Sequence, residues 1–356
     1  MIAGTRTDAR SPGATAAHWE RSMRIPPARP RALPARLLAA GLGLTALTGF
    51  AGPASAEKIF VSNERDHTVT VIDGASLKPI ETIKTGRRPR GITASPDGKL
   101  IYVCVSDDNR VEVYDAATYA LVRTLPSGPD PELFVLHPSG NPLYIANEDD
   151  NMVTIVDTAT GQKTAEIPVG VEPEGMGISP DGKILVNTSE TTNMAHFIST
   201  DTNEIVENVL VDSRPRVAEF RPDNKHVWVS AEVGGTVSVI DPKSHQVVKR
   251  LTFEIPGVTA EAIQPVGIRI TRDNKTAYVA LGPANRVAVV DTETFAIRKY
   301  LLVGQRVWQL AFSPDESRLY TTNGNSNDIS IIDVAAEKVT KSVTTGRSPW
   351  GAVSVP

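Results

Sequence analysis

The sequence predicts an all-β protein, a seven-bladed β-propeller with four antiparallel strands in each blade. Two bulky apolar residues followed by Asp return about every 42 residues, and a turn related to Pro-Asp-Gly returns at the same period. Short segments with period-2 alternation lie between these landmarks, and no segment shows the 3.6-residue apolar period of a helix. Units of about 40–45 residues with four strands are typical of propeller blades.

Both landmarks mark turns between strands. An Asp in such a turn accepts hydrogen bonds from the backbone N–H groups that follow it. The first landmark is assigned to Asp73, Asp115, Asp157, Asp201, Asp241, Asp291 and Asp333. The second is assigned to Asp97, Ser139, Asp181, Asp223, Asp273 and Asp315. Because they recur from repeat to repeat, we interpret these residues as structural.

One repeat shows how the four strands follow one another. An inner strand at 91–94 leads through a turn to a second strand at 99–105. A polar loop precedes a third strand at 110–114, and a further turn opens a fourth strand at 120–125. A single sheet cannot bury both of its faces, but stacking the sheets around an axis does so.

The two ends of the repeat region predict how the ring closes. The region starts on a second strand at 58–62 with no inner strand before it, and it ends on an unpartnered inner strand at 349–355. Together these segments complete one blade. We therefore expect the C-terminal inner strand to pair with the N-terminal blade, so that residues 57–356 form seven blades.

Residues 1–56 are interpreted as a secretory signal leader. Seven arginines precede the apolar run at 37–50, and Ala54-Ser55-Ala56 matches the small-residue cleavage pattern before Glu57. The run is too short for a membrane-spanning helix, which needs about 20 apolar residues. We expect cleavage after Ala56, a periplasmic or secreted propeller at 57–356, and no membrane span in the mature chain.

Composition excludes several classes of protein. The chain has 37 basic and 41 acidic residues, a net charge of −4, and one cysteine. Without residues 1–56, which hold seven arginines and two acidic residues, the net charge is near −9. Such an acidic chain is poorly suited to binding nucleic acid. The single Cys104 can form no intrachain disulfide, and because small residues stand at its position in the other repeats, we interpret it as a packing thiol.

The loops before the inner strands differ most between repeats. In a propeller these loops and the second-to-third-strand loops surround one opening of the axial channel. The residue after the Pro position should face this opening and form a polar site for a ligand or a protein partner. The candidate site residues are Arg90, Glu132, Glu174, Arg216, Trp308 and Trp350, with the two tryptophans adjacent because the ring closes. Alternatively, Arg90 pairs with Glu132, and Arg216 with Glu174, to line a solvated channel.

Other features of the same face carry further expectations. The 50-residue spacing between two Asp landmarks places an apolar insertion at 253–258, suited to a partner contact or a lid. His67 and His196 are expected in rim loops of different blades, and no histidine has metal-ligand spacing, so no metal is expected. Acidic residues of the second-to-third-strand loops are expected to form a solvated rim: Glu64, Asp66, Asp107, Asp108, Glu148, Asp149, Asp150, Glu190 and Glu232.

Several segments resemble known families. Tyr144-Ile145-Ala146-Asn147 and Tyr320-Thr321-Thr322-Asn323 resemble the YVTN class of propeller repeats. Segments 128–133, 147–151, 187–196 and 304–308 resemble the exported propellers associated with PQQ-dependent catabolism. The resemblance covers residues 57–356. It implies an accessory role beside a periplasmic quinoprotein dehydrogenase or cytochrome, and it transfers no catalytic residues.

Direct binding of PQQ or haem is a separate matter. No Trp follows the Asp-x-x-Thr-Gly turn at 157–161, where quinoprotein dehydrogenases carry a docking motif, and no Cys-x-x-Cys-His is present. We therefore expect no cofactor.

The sequence leaves three functions open. The first is a non-catalytic exported propeller that binds a protein partner or small ligand at the channel mouth, accessory to periplasmic PQQ-dependent alcohol oxidation. The second is a lactonase-like hydrolase, with Glu132 or Glu174 as base and Arg90 or Arg216 holding the oxyanion. The third is a cell-surface structural protein, which would self-assemble, whereas we expect a monomer.

Overall fold

The computed structural model describes residues 57–356, and in this range it contains seven antiparallel sheets of four strands and two short 3-10 turns. The seven-bladed β-propeller is therefore confirmed. The predicted leader at 1–56 and its cleavage after Ala56 lie outside the described residues and stay predictions. Across 57–356, the chain forms no helix with the length and apolarity that membrane crossing requires.

The strands are numbered in chain order and the blades in ring order. Blade 1 contains β1 (Lys58–Asn63), β2 (Thr68–Asp73), β3 (Lys78–Lys84) and the last strand, β28 (Pro349–Val355). Blade 2 contains β4 (Pro89–Ala94), β5 (Leu100–Val105), β6 (Arg110–Asp115) and β7 (Leu121–Pro126). Blade 3 contains β8 (Pro131–Leu136), β9 (Leu143–Asn147), β10 (Met152–Val156) and β11 (Lys163–Pro168).

The remaining blades repeat this order. Blade 4 contains β12 (Pro173–Ile178), β13 (Ile184–Ser189), β14 (Met194–Ser199) and β15 (Glu204–Leu210). Blade 5 contains β16 (Pro215–Phe220), β17 (Val227–Ala231), β18 (Thr236–Asp241) and β19 (Gln246–Thr252). Blade 6 contains β20 (Ile268–Ile270), β21 (Thr276–Ala280), β22 (Arg286–Asp291) and β23 (Ile297–Leu302). Blade 7 contains β24 (Val307–Phe312), β25 (Arg318–Asn323), β26 (Asp328–Asp333) and β27 (Lys338–Thr344).

The second strand of each blade supplies the packing between blades. One position holds a large residue, such as Phe60, Trp228 or Tyr320, and the position two residues further holds a small one. Both positions are buried, because the large side chain of one blade packs closely against the neighbouring sheet where that sheet carries small residues. Cys104 occupies the small position with no exposed surface, and burial raises the pKa of its thiol well above the ordinary value. The interpretation of Cys104 as a packing thiol is consistent with both facts.

The ring closes through the two ends of the described chain. Strand β28 pairs antiparallel with β1, with Val355 opposite Lys58 and Val353 opposite Phe60. Val355 and Phe60 lie in one apolar cluster with residues of blade 2. Fully burying a side chain of this size stabilises the fold by about 1.5–3 kcal/mol. The predicted pairing of the C-terminal inner strand with the N-terminal blade is confirmed.

One assigned landmark is wrong. Strand β14 ends at Ser199, which pairs with Ile184 as Asp115 pairs with Leu100 in blade 2. The residue at the landmark position of blade 4 is therefore Ser199, whereas Asp201 lies outside the strand and is exposed. The hydroxyl of Ser199 accepts the Thr202 N–H at 3.4 Å, as the Asp carboxylates do in other blades.

The insertion at 253–258 is packed rather than free. Phe253 is buried beside Ile263 and Ile268, and Ile255 and Val258 pack against the same cluster. This burial argues against a lid made of the phenylalanine, because moving it would expose a core side chain. The segment instead fills the approach to β20, the shortest inner strand of the ring.

Candidate functional site

The mouth of the channel is the opening surrounded by the loops before the inner strands and by the second-to-third-strand loops. In six of the loops before the inner strands, the last residue has a left-handed backbone with φ between 49° and 59°. These residues are Arg88, Asp130, Glu172, Arg214, Arg306 and Ser348. Each of these residues donates its N–H to a side chain of the preceding blade, such as Asn193 Oδ1 for Arg214 at 3.0 Å.

These side chains form a repeated link between neighbouring blades. Five are asparagines that themselves adopt positive φ: Asn109, Asn151, Asn193, Asn285 and Asn327, while His67 occupies the sixth place. Asn tolerates this conformation better than most residues, so one residue type satisfies both the turn and the link. Blade 5 has Gly235 at this position, also with positive φ, and a Cβ built there would lie 3.5 Å from the Ile263 carbonyl oxygen. The links hold the inner-strand loops, and so the side chains they carry, in place.

Arg90 and Glu132 form one half of a charged network at the mouth. They are paired, as the sequence predicted, and Glu132 has no exposed surface. Arg90 Nε also lies 3.2 Å from Glu64 Oε1, and Arg88 bridges Glu132 Oε1 at 3.2 Å and Asp130 Oδ1 at 2.7 Å. Two arginines of blade 2 therefore hold carboxylates of blades 1 and 3.

Arg216 and Glu174 form the other half. Arg216 Nη2 lies 2.8 Å from Glu174 Oε1, and Arg216 is also paired with Glu190. Arg214 Nε lies 2.7 Å from Glu190 Oε2, and Arg306 Nη2 lies 2.5 Å from Glu232 Oε1. All of these carboxylates are buried. The predicted pairing of Arg216 with Glu174 is present, but it belongs to a larger buried network.

Glu190 and Glu232 correct one expectation. The sequence placed both in a solvated acidic rim, yet they are 5% and 4% exposed. They lie inside the mouth because the cations of the neighbouring inner-strand loops cover them. The repeat alignment also did not single out Arg88, Arg214 and Arg306. The sequence did indicate a role for these residues, because they occupy the same position in different repeats and this position holds charges of both signs.

The two tryptophans lie against arginines of the network. The Arg90 guanidinium is 5.7 Å from the ring centre of Trp350, which is 1% exposed. Arg306 lies 4.0 Å above Trp308, and Arg216 is 5.8 Å from the same ring. Such contacts stabilise a desolvated cation by about 1–2 kcal/mol. The aromatic residues therefore help to hold these arginines in place.

Carboxylates in the mouth repel one another. Burial raises the pKa of Glu132 well above its ordinary value, and the Glu174 carboxylate raises it further, while Arg90 opposes both. Burial and Glu174 also raise the pKa of Glu148. Burial raises the pKa of Glu190 to about 7, although Arg216 opposes the shift. The Glu174 carboxylate contributes to the raised pKa of all three groups.

Three carboxylates of the mouth lie close enough to hold a cation. Oxygens of Asp130, Glu132 and Glu148 lie within 4.8 Å of one another. Arg88 and Arg90 already occupy Asp130 and Glu132, so a metal ion would have to displace a guanidinium. Among the histidines, His196 is in β14 rather than in a rim loop. It is buried, and its ring hydrogen-bonds Asn208, Ser189 and the Gly170 N–H.

The other end of the axial channel differs in character. A cavity of about 410 Å³ lies there, lined by apolar side chains such as Leu133, Val135, Met176, Val217 and Phe220 and by the polar side chains of Glu219, Arg269 and Gln309. One ion pair crosses it, Arg269 Nη1 to Glu219 Oε2 at 3.0 Å. The charged residues that line the channel are therefore concentrated at the mouth.

The fold is shared with many solved structures. The model of the family "Lactonase, 7-bladed beta-propeller" matches residues 54–167, and the "Choice-of-anchor I domain" model matches residues 149–312. No curated protein matches the chain. Together the two family matches support a β-propeller family.

Three solved structures illustrate the likeness. Hydrazine synthase of Kuenenia stuttgartiensis is 23% identical, with 78% of this chain and 92% of that chain covered and a TM-score of 0.72. A functionally unknown protein of Desulfotomaculum acetoxidans is 15% identical, with coverage of 83% and 98% and a TM-score of 0.69. Dihydro-heme d1 dehydrogenase NirN is 17% identical, with coverage of 83% and 74% and a TM-score of 0.62. Identities this low establish the fold alone.

Proposed function

We propose that this protein is a non-catalytic binding protein whose channel mouth takes up a protein partner or a small ligand. We further propose that it is exported and serves a periplasmic PQQ-dependent alcohol oxidation system, with a quinoprotein dehydrogenase or a cytochrome as partner. The second part rests on the resemblance of its repeats to the PQQ-associated propellers.

The observation that carries the proposal is the buried charge network at the mouth. Placing Glu132, Glu174 and Arg216 out of water costs several kcal/mol for each ion, which pairing offsets only in part. A ring of blades needs no such cluster for closure, since apolar residues supply the packing between blades. These buried carboxylates hold cations that are partly exposed, with Arg88 at 26% and Arg214 at 48%, and fixed charges of this kind can recognise a charged partner, which is the benefit that accounts for the cost.

The test is capture of a defined partner by variants whose folding is first verified by circular dichroism. Tagged protein and the variants Arg90→Ala, Glu132→Ala, Trp308→Ala and Trp350→Ala are incubated with periplasmic extract, and captured quinoprotein dehydrogenase or cytochrome is quantified. Capture should fall at least about tenfold for the mouth variants. Arg298→Ala is the control, because Arg298 pairs with Glu337 at 2.6 Å away from the mouth. Equal capture by every folded variant would refute the mouth as the contact surface.

A lactonase-like hydrolase is the second candidate, favoured by the family match over residues 54–167. The geometry disfavours its predicted bases. Glu132 has no exposed surface and is held by two arginines, and Glu174 is 1% exposed, so neither reaches a substrate without rearrangement. A panel of sugar lactones assayed with and without divalent cations decides between the two. Turnover that Glu132→Gln abolishes would favour the hydrolase.

A further inference from the structure

The cavity at the other end of the axial channel has two walls of different character. Its volume of about 410 Å³ is within the range of small-molecule sites, about 300–1,000 Å³. The inner strands of blades 3, 4 and 5 contribute apolar side chains that include Leu133, Met176 and Val217. Blades 6 and 7 contribute Arg269 and Gln309. The cavity is therefore apolar on one side and polar on the other.

The cavity extends from the base of the ring, the surface remote from the mouth, toward the charged network. Its residues at the base include Pro180 and Pro222, which are exposed and lie in the turns after β12 and β16. At its inner end it is lined by Leu133, Val217 and Gln309, and each of these directly follows a mouth residue in the chain. A ligand would therefore enter from the base and end beneath the mouth.

Gln309 is a buried polar residue whose side chain has no partner in the protein. It is 7% exposed and lines the cavity. Its backbone N–H donates to Thr322 Oγ1 at 3.0 Å, and its carbonyl oxygen accepts the Thr322 hydroxyl at 3.4 Å. Its side-chain amide has no hydrogen-bond partner within residues 57–356. A buried amide without a partner is costly, and a ligand with a donor and an acceptor would satisfy it.

The repeat indicates that packing does not require this amide. At the position of Gln309 the other blades have Gly or an aliphatic residue: Gly351, Gly91, Leu133, Gly175, Val217 and Gly267. Close approach of the next inner strand explains the glycines, since a Cβ at Gly175 would lie 2.0 Å from the Arg216 carbonyl oxygen. In blades 3 and 5, where a side chain fits, an aliphatic one fills the space. Gln309 therefore departs from the repeat by its polarity.

The two charged residues of the cavity neutralise each other. Arg269 Nη1 lies 3.0 Å from Glu219 Oε2 and also donates to the Ile268 carbonyl oxygen at 3.0 Å. Burial raises the pKa of Glu219, and Arg269 opposes the shift. A carboxylate in the cavity would be repelled by Glu219, an ammonium would be repelled by Arg269, and either would lose its hydration. The cavity therefore favours an uncharged ligand.

We infer that this cavity binds an uncharged aliphatic molecule with one polar head that both donates and accepts hydrogen bonds, a carboxamide or an alcohol. The site is separate from the mouth, so the inference goes beyond the proposed function and does not rest on it. The head hydrogen-bonds the Gln309 amide, which offers two donors and an acceptor. The aliphatic body lies against Leu133, Met176 and Val217. A six-carbon chain has ample room, since an apolar cavity of about 150 Å³ already takes up benzene.

The experiment is titration of the purified protein with hexanamide, 1-hexanol and hexanoate, with affinities measured by saturation-transfer NMR. The two uncharged probes should bind, and hexanoate should bind at least about tenfold more weakly, because its head must lose hydration beside Glu219. Gln309→Leu should weaken binding of the uncharged probes about fivefold, the effect of losing a hydrogen bond. Gln305→Leu is the matched control. It makes the same change at an exposed residue before β24 and should alter affinity less than about twofold.

A second variant tests the location of the site. Val135 lines the cavity and is half-buried, so a larger side chain there takes up space that the ligand needs. Val135→Phe, once its folding is verified by circular dichroism, should weaken binding of both uncharged probes at least about tenfold.

The outcomes identify the head group or overturn the site. At least about tenfold tighter binding of hexanamide than of 1-hexanol supports a carboxamide ligand, and the reverse order supports an alcohol. Similar affinities support a site that recognises either head. The inference is overturned if neither uncharged probe binds, if hexanoate binds as tightly as hexanamide, or if Gln309→Leu and Val135→Phe both leave affinity unchanged. Partner capture at the mouth is tested with other variants and another readout, so the two proposals can fail separately.

Discussion

Arg216 is the most deeply embedded cation of the mouth, with its side chain 5% exposed between Glu174 and Glu190. Burial alone would lower the pKa of its guanidinium, but these glutamates and Glu232 reverse the effect and raise it. Arg214, the second cation on Glu190, has a side chain that is 48% exposed. The two arginines share a partner and differ in solvation, so they are suited to a direct comparison.

Replacing Arg216 by Met should lower the free energy of unfolding by about 3–5 kcal/mol, because two buried carboxylates lose their common cation. Met retains most of the side-chain volume, so the cavity contribution stays small. Arg214→Met should cost about 0–1 kcal/mol, since solvent screens the exposed pair. Urea denaturation followed by tryptophan fluorescence measures both. Equal losses in the two variants would contradict the role assigned to Arg216.

Glu190 predicts how stability depends on pH. Its pKa is about 7 in the folded protein, against an ordinary value near 4.5. Between these values the folded state holds a proton that the unfolded state has released, so stability falls as pH rises from about 4.5 to 7. The raised pKa values of Glu132 and Glu148 act in the same direction.

The variant Glu190→Gln should reduce this slope, because the amide does not titrate. Unfolding free energies measured by urea denaturation at several pH values between 5 and 7.5 give the comparison. Glu207→Gln, which removes an exposed carboxylate from β15, is the control and should keep the wild-type slope. A Glu190→Gln profile parallel to that of the wild type would show that Glu190 does not bear the retained proton.

At the scale of the element, the asparagine links decide where the mouth residues lie. Each link joins a second-to-third-strand loop to the next inner-strand loop by one side chain. Gly at such a position keeps the left-handed backbone and removes only the side-chain acceptor. The contribution of the link can therefore be measured without disturbing the turn.

Asn193→Gly should cost about 1 kcal/mol more than Asn203→Gly, because it also removes the acceptor for the Arg214 N–H. Both residues have φ of 57°, so the conformational effect of glycine is the same in the two variants. Asn203 lies in the exposed turn after β14 and makes no comparable link. Thermal or urea unfolding gives the difference, and a difference of zero would refute the link.

At the scale of the whole molecule, closure of the ring depends on β28. Removing residues 349–356 would take away Trp350 and Val355 and expose the edge of β1 and Phe60. The lost burial approaches the 5–15 kcal/mol that a domain typically has in total. The truncated protein should show no cooperative thermal transition by circular dichroism, whereas removal of Pro356 alone should leave the transition in place. A truncated chain that still melts cooperatively near the wild-type temperature would contradict this dependence on β28.

The fold could be predicted from the sequence, because strand, turn and packing positions recur at the same places in each repeat. The error at Asp201 arose because Ser199 serves as the turn acceptor in blade 4, and a rule based on Asp alone misses a hydroxyl. The pairs at Arg90 and Arg216 were predicted from neighbouring blades. The burial of Glu190 and Glu232 was not predicted, because it depends on where the side chains of Arg214 and Arg306 extend across the ring.

Strands β1 and β28 run in opposite directions along one blade, and Lys58 and Val355 lie opposite each other at the same end of it. Asn63 pairs with Pro349 at the other end of these strands, next to the mouth. Lys58 and Val355 therefore lie at the end remote from the mouth. A flexible tether or an affinity handle joined at Pro356 would therefore leave the base of the ring and point away from the charged opening. A sensor surface that holds the protein by this terminus would present the mouth to the solution, so partner capture can also be measured on immobilised protein in a single orientation.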